Sequence, residues 1–198
     1  MIELKNVTKR FGKKVVLSDI NIKFPNTGLF IILGNNGVGK TTLLYILGLL
    51  DLDFEGDLYI DNLNIKNSDI NYLREYRNKN VSYVFSKGNL IPYLSVKDNL
   101  RIGVKNENDI VKFIDLPDDQ DVQTLSGGEE LLLSLSHEVS LKKNIYLLDE
   151  VTAALDDDNL NKVIDILKKY ARSISETHIL VELNSQEIDN VINEFNGR

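Results

Sequence analysis

No cysteine stands anywhere in this sequence, so disulfide frameworks, thiolate zinc sites and thiol nucleophiles are excluded together. With only two histidines as well, function has to rest on ordinary oxygen and nitrogen groups. A long apolar run is also missing. The longest, at 43–50, is too short for a bilayer and is closed by Asp51. The start, Met1-Ile2-Glu3, lacks a signal-peptide pattern. The expectation is a cytosolic chain that does not itself span a membrane. Acidic side chains outnumber basic ones, giving a net charge of -7, which argues against a nucleic acid backbone as the main partner.

What is present is enough for one domain with a substantial core: 198 residues, 42% of them hydrophobic. Linkers, repeats and low-complexity tracts are absent, and strand-like runs alternate with helical patterns, which predicts an α/β domain over 1–198. The pattern predicts strands over 2–7, 15–24, 29–33, 58–60, 81–85, 145–148 and 178–183. It predicts helices over 40–50, 70–78, 108–114, 127–141, 158–170 and 186–194. The first two strands are separated only by Gly12-Lys13-Lys14 and read as an antiparallel hairpin flanking a mostly parallel sheet.

The strongest chemical signal is Gly34-Asn35-Asn36-Gly37-Val38-Gly39-Lys40-Thr41-Thr42. It has the G-x-x-x-x-G-K-[ST] form of a phosphate loop, and it follows an apolar strand and opens a helix, as that mechanism requires. The glycines let backbone N–H groups curl around phosphates, and the helix N-terminus adds a favourable dipole. Lys40 can reach the β and γ phosphates as a point charge, and the Thr41 hydroxyl can ligate Mg²⁺.

A second element, Ile145-Tyr146-Leu147-Leu148-Asp149-Glu150, is a buried-type strand ending in two carboxylates. On a parallel sheet it delivers them to the carboxyl edge, beside the phosphate loop. Asp149 is then placed to hold Mg²⁺ through its water shell, and Glu150 to orient or deprotonate an attacking water. Taken alone, a strand ending in Asp-Glu is common surface chemistry; the phosphate loop gives it a function.

The third element, Leu125-Ser126-Gly127-Gly128-Glu129, combines a residue able to cap a helix with two glycines that expose backbone N–H groups. It resembles the LSGGQ signature of ABC ATPases. That resemblance covers nearly the whole chain and implies an ATP-binding, ATP-hydrolysing subunit with ATP and Mg²⁺. It also implies a second nucleotide-binding domain as dimer partner and separate permease subunits, at the inner face of the membrane. In the family, the signature surface, here Ser126, Gly127, Gly128 and Glu129, closes on the γ-phosphate held by the other subunit. Phe11, in Lys9-Arg10-Phe11-Gly12, matches the adenine-stacking aromatic. Asp156, in Val151-Thr152-Ala153-Ala154-Leu155-Asp156, matches the polar tip of the dimer-contact loop. The stretch 81–96 looks most like the branch serving lipoprotein release, macrolide efflux and peptide resistance, which implies export.

Four departures stand against this resemblance. Ser86 replaces the Gln that touches Mg²⁺ and water in the family, and Leu183 falls where a γ-phosphate-sensing His is expected. Leucine cannot donate a hydrogen bond. His178 lies five residues before Leu183, at the opposite end of the strand, and reads as an ordinary strand or loop histidine; His137 reads as a surface residue. Leu132 stands where the family usually has Arg. Only 39 positions separate Ser86 from Leu125, so the helical subdomain, inserted at about 87–142, is expected to be reduced. These departures open an alternative, a subunit that clamps ATP but hydrolyses it slowly within a heteromeric complex.

Overall fold

The structure, a computed structural model, describes residues 1–25, 28–85, 89–149, 163 and 178–184. The first sheet is antiparallel and built from β1 (Ile2–Phe11), β2 (Lys14–Phe24), β4 (Glu55–Ile60) and β5 (Leu63–Asn64), in the order β2-β1-β4-β5. The second comprises β3 (Gly28–Gly34), β6 (Val81–Val84), β7 (Ile145–Leu148) and β8 (His178–Asn184), ordered β3-β8-β7-β6 with every pairing parallel. The expected mostly parallel sheet with an antiparallel flank is therefore present, and the flank is a sheet in its own right.

The β1 strand runs four residues beyond its predicted end. A bulge explains why its pattern is hard to read. Ile2 and Leu4 are buried at even positions, then Asn6 adopts φ 51 and the register shifts, so that Val7 and Lys9 are buried at odd ones. Asn6 is held there by its N–H donating to Asn21 Oδ1 and its side-chain amide donating to Asp19 Oδ1.

Helix α1 (Lys40–Leu47) packs between the two sheets, with Leu43, Leu44, Ile46 and Leu47 buried in one cluster with Ile2, Leu4, Leu58, Ile145 and Leu147. Burial of each such side chain contributes about 1.5–3 kcal/mol. The helix stops three residues short of its predicted end. Leu49 turns to φ 58 and the Leu50 N–H closes on the Tyr45 carbonyl at 2.8 Å, a left-handed C-terminal turn. Gly48 fits this turn because a Cβ there would lie 2.8 Å from Leu147 Cδ1.

Helix α2 (Ile70–Asn80) starts at its Asp69 cap, whose carboxylate accepts from the Asn71 and Tyr72 N–H groups. The short α3 (Val96–Arg101), not predicted, is capped by Ser95 and packs on α4 (Gly127–Ser140) through Val96, Leu100, Val122 and Leu133. Leu132, at the position of the missing Arg, is buried.

The helix predicted over 108–114 does not form. A single 3-10 turn, Glu107–Asp109, is followed by irregular chain. Here the Val111 and Phe113 N–H groups donate to Ser140 Oγ (2.8 Å) and Ser136 Oγ (3.0 Å) on α4. Alternate N–H groups of this irregular chain thus match two serines one helical turn apart, and the local apolar spacing is satisfied by docking instead of coiling. The helices predicted over 158–170 and 186–194 lie outside the described residues, save Val163, which is buried.

Removing the Ser140 hydroxyl leaves the Val111 N–H without its acceptor. Ser140→Ala is expected to lower the unfolding free energy by about 1–3 kcal/mol, measured by urea denaturation; no change would show that the docked segment is held by other contacts.

Candidate functional site

Every strand of the second sheet ends at the same edge, and the chemistry-bearing residues collect there. Gly34 ends β3 in register with Asn184 of β8, while Val84 of β6 lies opposite Leu148 of β7. The chain leaves β3 through 35–39 and enters α1 at Lys40. Gly37 and Gly39 take φ 78 and 103, values that side chains with a Cβ rarely adopt. Gly39 is also a close approach: a Cβ would lie 2.8 Å from Val16 Cγ1 of β2. The antiparallel sheet thereby touches the loop.

Lys40 is 6% exposed and folds back into the loop, its Nζ donating to the Gly34 carbonyl at 2.9 Å and the Asn35 carbonyl at 3.2 Å. Asn35, Asn36, Gly37 and Val38 form the turn it spans, and the Val38 N–H reaches the Asn35 carbonyl at 3.4 Å. Helix α1 begins with no side-chain cap and no acidic residue in its first turn. By contrast, α2, α3 and α4 are capped by Asp69, Ser95 and Ser126. The loop thus offers a helix N-terminus and a buried ammonium to an anion.

Thr41 and Thr42 follow on α1. Thr41 Oγ1 donates to Asp149 Oδ1 at 3.1 Å, across 108 residues of sequence. Asp149 is 7% exposed, and its own N–H donates to the Val84 carbonyl at 2.9 Å, which fixes its backbone against β6. Its Oδ2 accepts from the Tyr83 hydroxyl at 3.1 Å, a contact the sequence pattern does not reveal because a tyrosine within a strand gives no signal of its own. A hydroxyl and a carboxylate are hard oxygen donors. This pair suits Mg²⁺, which keeps several waters and takes one or two protein ligands beside substrate phosphates.

Phe11 is 56% exposed at the end of β1, with the Lys9 ammonium 5.0 Å from its ring centroid. Lys9 itself is 3% exposed and bridges to Asp51 at 2.8 Å and Asp53 at 3.3 Å. Burial works against its charge, but the two carboxylates outweigh it and hold its pKa above the usual value. The buried cation ties the end of β1 to the turn after α1 and so places Phe11.

The signature segment forms the start of α4. Ser126 and Glu129 make a capping box in which Glu129 Oε2 accepts from the Ser126 N–H and hydroxyl, each at 2.8 Å. Gly127 and Gly128 are the first helical residues, and among the described residues the polar contacts of Ser126 and Glu129 stay within this turn and helix. Ser86, Glu150 and Asp156 lie outside the described residues. In β8, Leu183 sits in register with Leu33, one position before the phosphate loop, while His178 pairs with Gly28 at the far edge.

His137 departs from its expected surface position. Its side chain is 11% exposed, with Nε2 2.9 Å from the Ile102 carbonyl and Nδ1 3.3 Å from Glu138 Oε1. It lies within α4 rather than at the sheet edge, which gives it a structural role.

Residues 17–153 match the ABC transporter family. An uncharacterized ABC transporter ATP-binding protein of Methanocaldococcus jannaschii, MJ0796, is 30% identical over 202 residues, covering 91% of this chain and 86% of its own. The glutamine transport ATP-binding protein GlnQ of Geobacillus stearothermophilus is 31% identical over 188 residues, covering 87% and 76%. Among solved structures, the dimeric post-hydrolysis state of the MJ0796 cassette bound to ADP and Pi superposes with a TM-score of 0.78 at 28% identity, over 92% of this chain and 88% of that one. The chain belongs to the ABC transporter family, and its fold is that of an ABC ATP-binding cassette.

Burial lowers the His137 pKa, but Glu138 and the Ile102 carbonyl outweigh it and the net shift is upward. The resulting stabilisation is complete below the unfolded value and is lost as pH rises through the folded one. Between about pH 6 and about pH 8 the urea midpoint of the wild type should therefore fall more than that of His137→Gln; parallel curves would show that the imidazole does not carry this pH dependence.

Proposed function

We propose that this chain binds ATP and Mg²⁺ at the sheet edge and hydrolyses the nucleotide as one subunit of a dimer, driving transport through separate membrane-spanning permease chains. The observation that carries this reading is the Thr41–Asp149 contact at 3.1 Å beside a phosphate loop closed around Lys40. In the proposed assignment, the loop 34–42 cradles the phosphates, Lys40 exchanges its carbonyl partners for phosphate oxygens, and Phe11 stacks on the base. Thr41 and Asp149 hold Mg²⁺, which supplies charge neutralisation at the phosphates. Glu150 and Ser86 serve the attacking water. Ser126, Gly127, Gly128 and Glu129, with Asp156, meet the nucleotide of the partner. No helix among the described residues is long and apolar enough to cross a membrane; the separate permease and the peripheral position at the inner membrane face rest on membership of the ABC transporter family.

The direction of transport is read as export from the stretch 81–96 alone, although relatives named for glutamine transport and methionine import are each 31% identical to this chain. The segment 87–142, with α3 and α4, is read as a reduced helical subdomain that meets the permease. A second reading, a slow ATP clamp paired with a more active subunit, is favoured by Leu183. The parallel register sets its backbone beside Leu33, next to the phosphate loop, where leucine supplies no hydrogen bond.

Lys40→Ala should abolish detectable ATP binding, and Phe11→Ala should weaken it by about 1–3 kcal/mol. Both are read by nucleotide titration of the purified chain, and unchanged affinity in Lys40→Ala would end the site assignment. ATP turnover, with Glu150→Gln as blank, separates the two catalytic readings. A slow clamp should gain activity on joint Ser86→Gln and Leu183→His substitution, since water-positioning and charge-stabilising contacts are commonly worth about 10²–10³ in rate.

A further inference from the structure

We propose that Tyr83 is a positioning residue for the magnesium end of the site, acting by holding the Asp149 carboxylate in one orientation; this rests on the assignment of Asp149 as a metal-site carboxylate. Each oxygen of that carboxylate has a donor from a different element. Thr41 of α1 reaches Oδ1 and Tyr83 of β6 reaches Oδ2, both at 3.1 Å. The two contacts differ in what they leave available. The Thr41 oxygen keeps lone pairs for a cation while its proton is committed to Oδ1. Tyr83 points at the other oxygen, away from the phosphate loop's own hydroxyl, and fixes the rotation about the Cβ–Cγ bond, a torsion that is otherwise broad.

The tyrosine is itself held firmly enough to impose an orientation. Its ring stacks on Phe85 with centroids 4.2 Å apart and meets Tyr45 of α1 edge-on at 5.6 Å. Its main chain is clamped by Asn89, whose side-chain amide donates to the Tyr83 carbonyl at 2.7 Å while its Oδ1 accepts the Phe85 N–H at 2.7 Å. The parallel register places Tyr83 opposite Leu147, two residues before Asp149 on the neighbouring strand. Hydrogen bonds to a ligating carboxylate commonly set metal affinity, and losing one typically costs 10–100-fold.

Tyr83→Phe removes the hydroxyl and keeps the ring that packs on Phe85 and Tyr45. The full-length chain is titrated with a fluorescent ATP analogue, first with Mg²⁺ chelated and then at increasing Mg²⁺, and its melting temperature is recorded alongside. The expected result is unchanged affinity without metal, a melting temperature that stays well above the titration temperature, and a Mg²⁺ midpoint raised about tenfold. In an Asp149→Asn background the same substitution should produce no further shift. A Mg²⁺ midpoint that stays within about twofold in Tyr83→Phe while Asp149→Asn displaces it strongly would overturn the positioning role alone. If Asp149→Asn also leaves the midpoint unmoved, the metal assignment fails and the proposal fails with it. A shift of similar size in Tyr83→Phe whether residue 149 is Asp or Asn would show that Tyr83 acts on the site by another route, which also overturns the proposal.

Discussion

The hydroxyl-to-carboxylate contact between Thr41 and Asp149 joins segments 108 residues apart, and much of the structure can be understood as what allows it. The two residues follow different strands, β3 and β7, with β8 lying between them. A side chain in the first turn of α1 bridges that gap. Helix α1 does so because four of its eight residues are large aliphatics buried against both sheets, and because Gly48 lets its C-terminus lie against Leu147. A side chain at Gly48 would require Leu147 to shift in the core that α1 shares with β7. The geometry of the site is therefore a consequence of how tightly the core beneath it packs.

The antiparallel sheet makes a second contribution, through a buried charge. Lys9 arrives on the inner face only because the bulge at Asn6 reverses the strand's alternation. Once inside it finds Asp51 and Asp53 in the turn that ends α1. A covered ammonium left without partners would be unfavourable, so the bridge selects one arrangement as much as it adds stability. It fixes the end of β1, and thus Phe11, relative to the helix that carries Lys40 and Thr41.

The legibility of these features in the sequence differed by mechanism. The phosphate loop, the acidic strand end and the Ser126 cap were readable because each couples a short motif to a strand or helix boundary that has its own pattern. The bulge was not, since a switch of parity at Asn6 looks like the end of a strand. The segment 108–114 misled for a related reason: its apolar spacing is real, but two of its N–H groups are taken by Ser140 and Ser136, 29 and 23 positions away, and no local rule registers a partner at that distance. His137 was read as exposed because nothing nearby in sequence reveals that Ile102 covers it. Tyr83 belongs to the same class, a residue whose importance depends on the strand beside it.

The two glycine-rich helix starts are chemically unlike, and that difference bears on how the proposed dimer would close. Helix α1 begins with no side-chain cap and no acid in its first turn, so its positive dipole end is not already offset by a carboxylate there. Helix α4 begins with a capping box in which the Glu129 carboxylate takes both the N–H and the hydroxyl of Ser126; those bonds to Ser126 hold its pKa below the usual value. An anion is thus already built into the second helix start. A phosphate presented by a partner subunit would find the Ser126 hydroxyl engaged and a negative charge three residues along. It would have to draw on the Gly127 and Gly128 N–H groups or open the box.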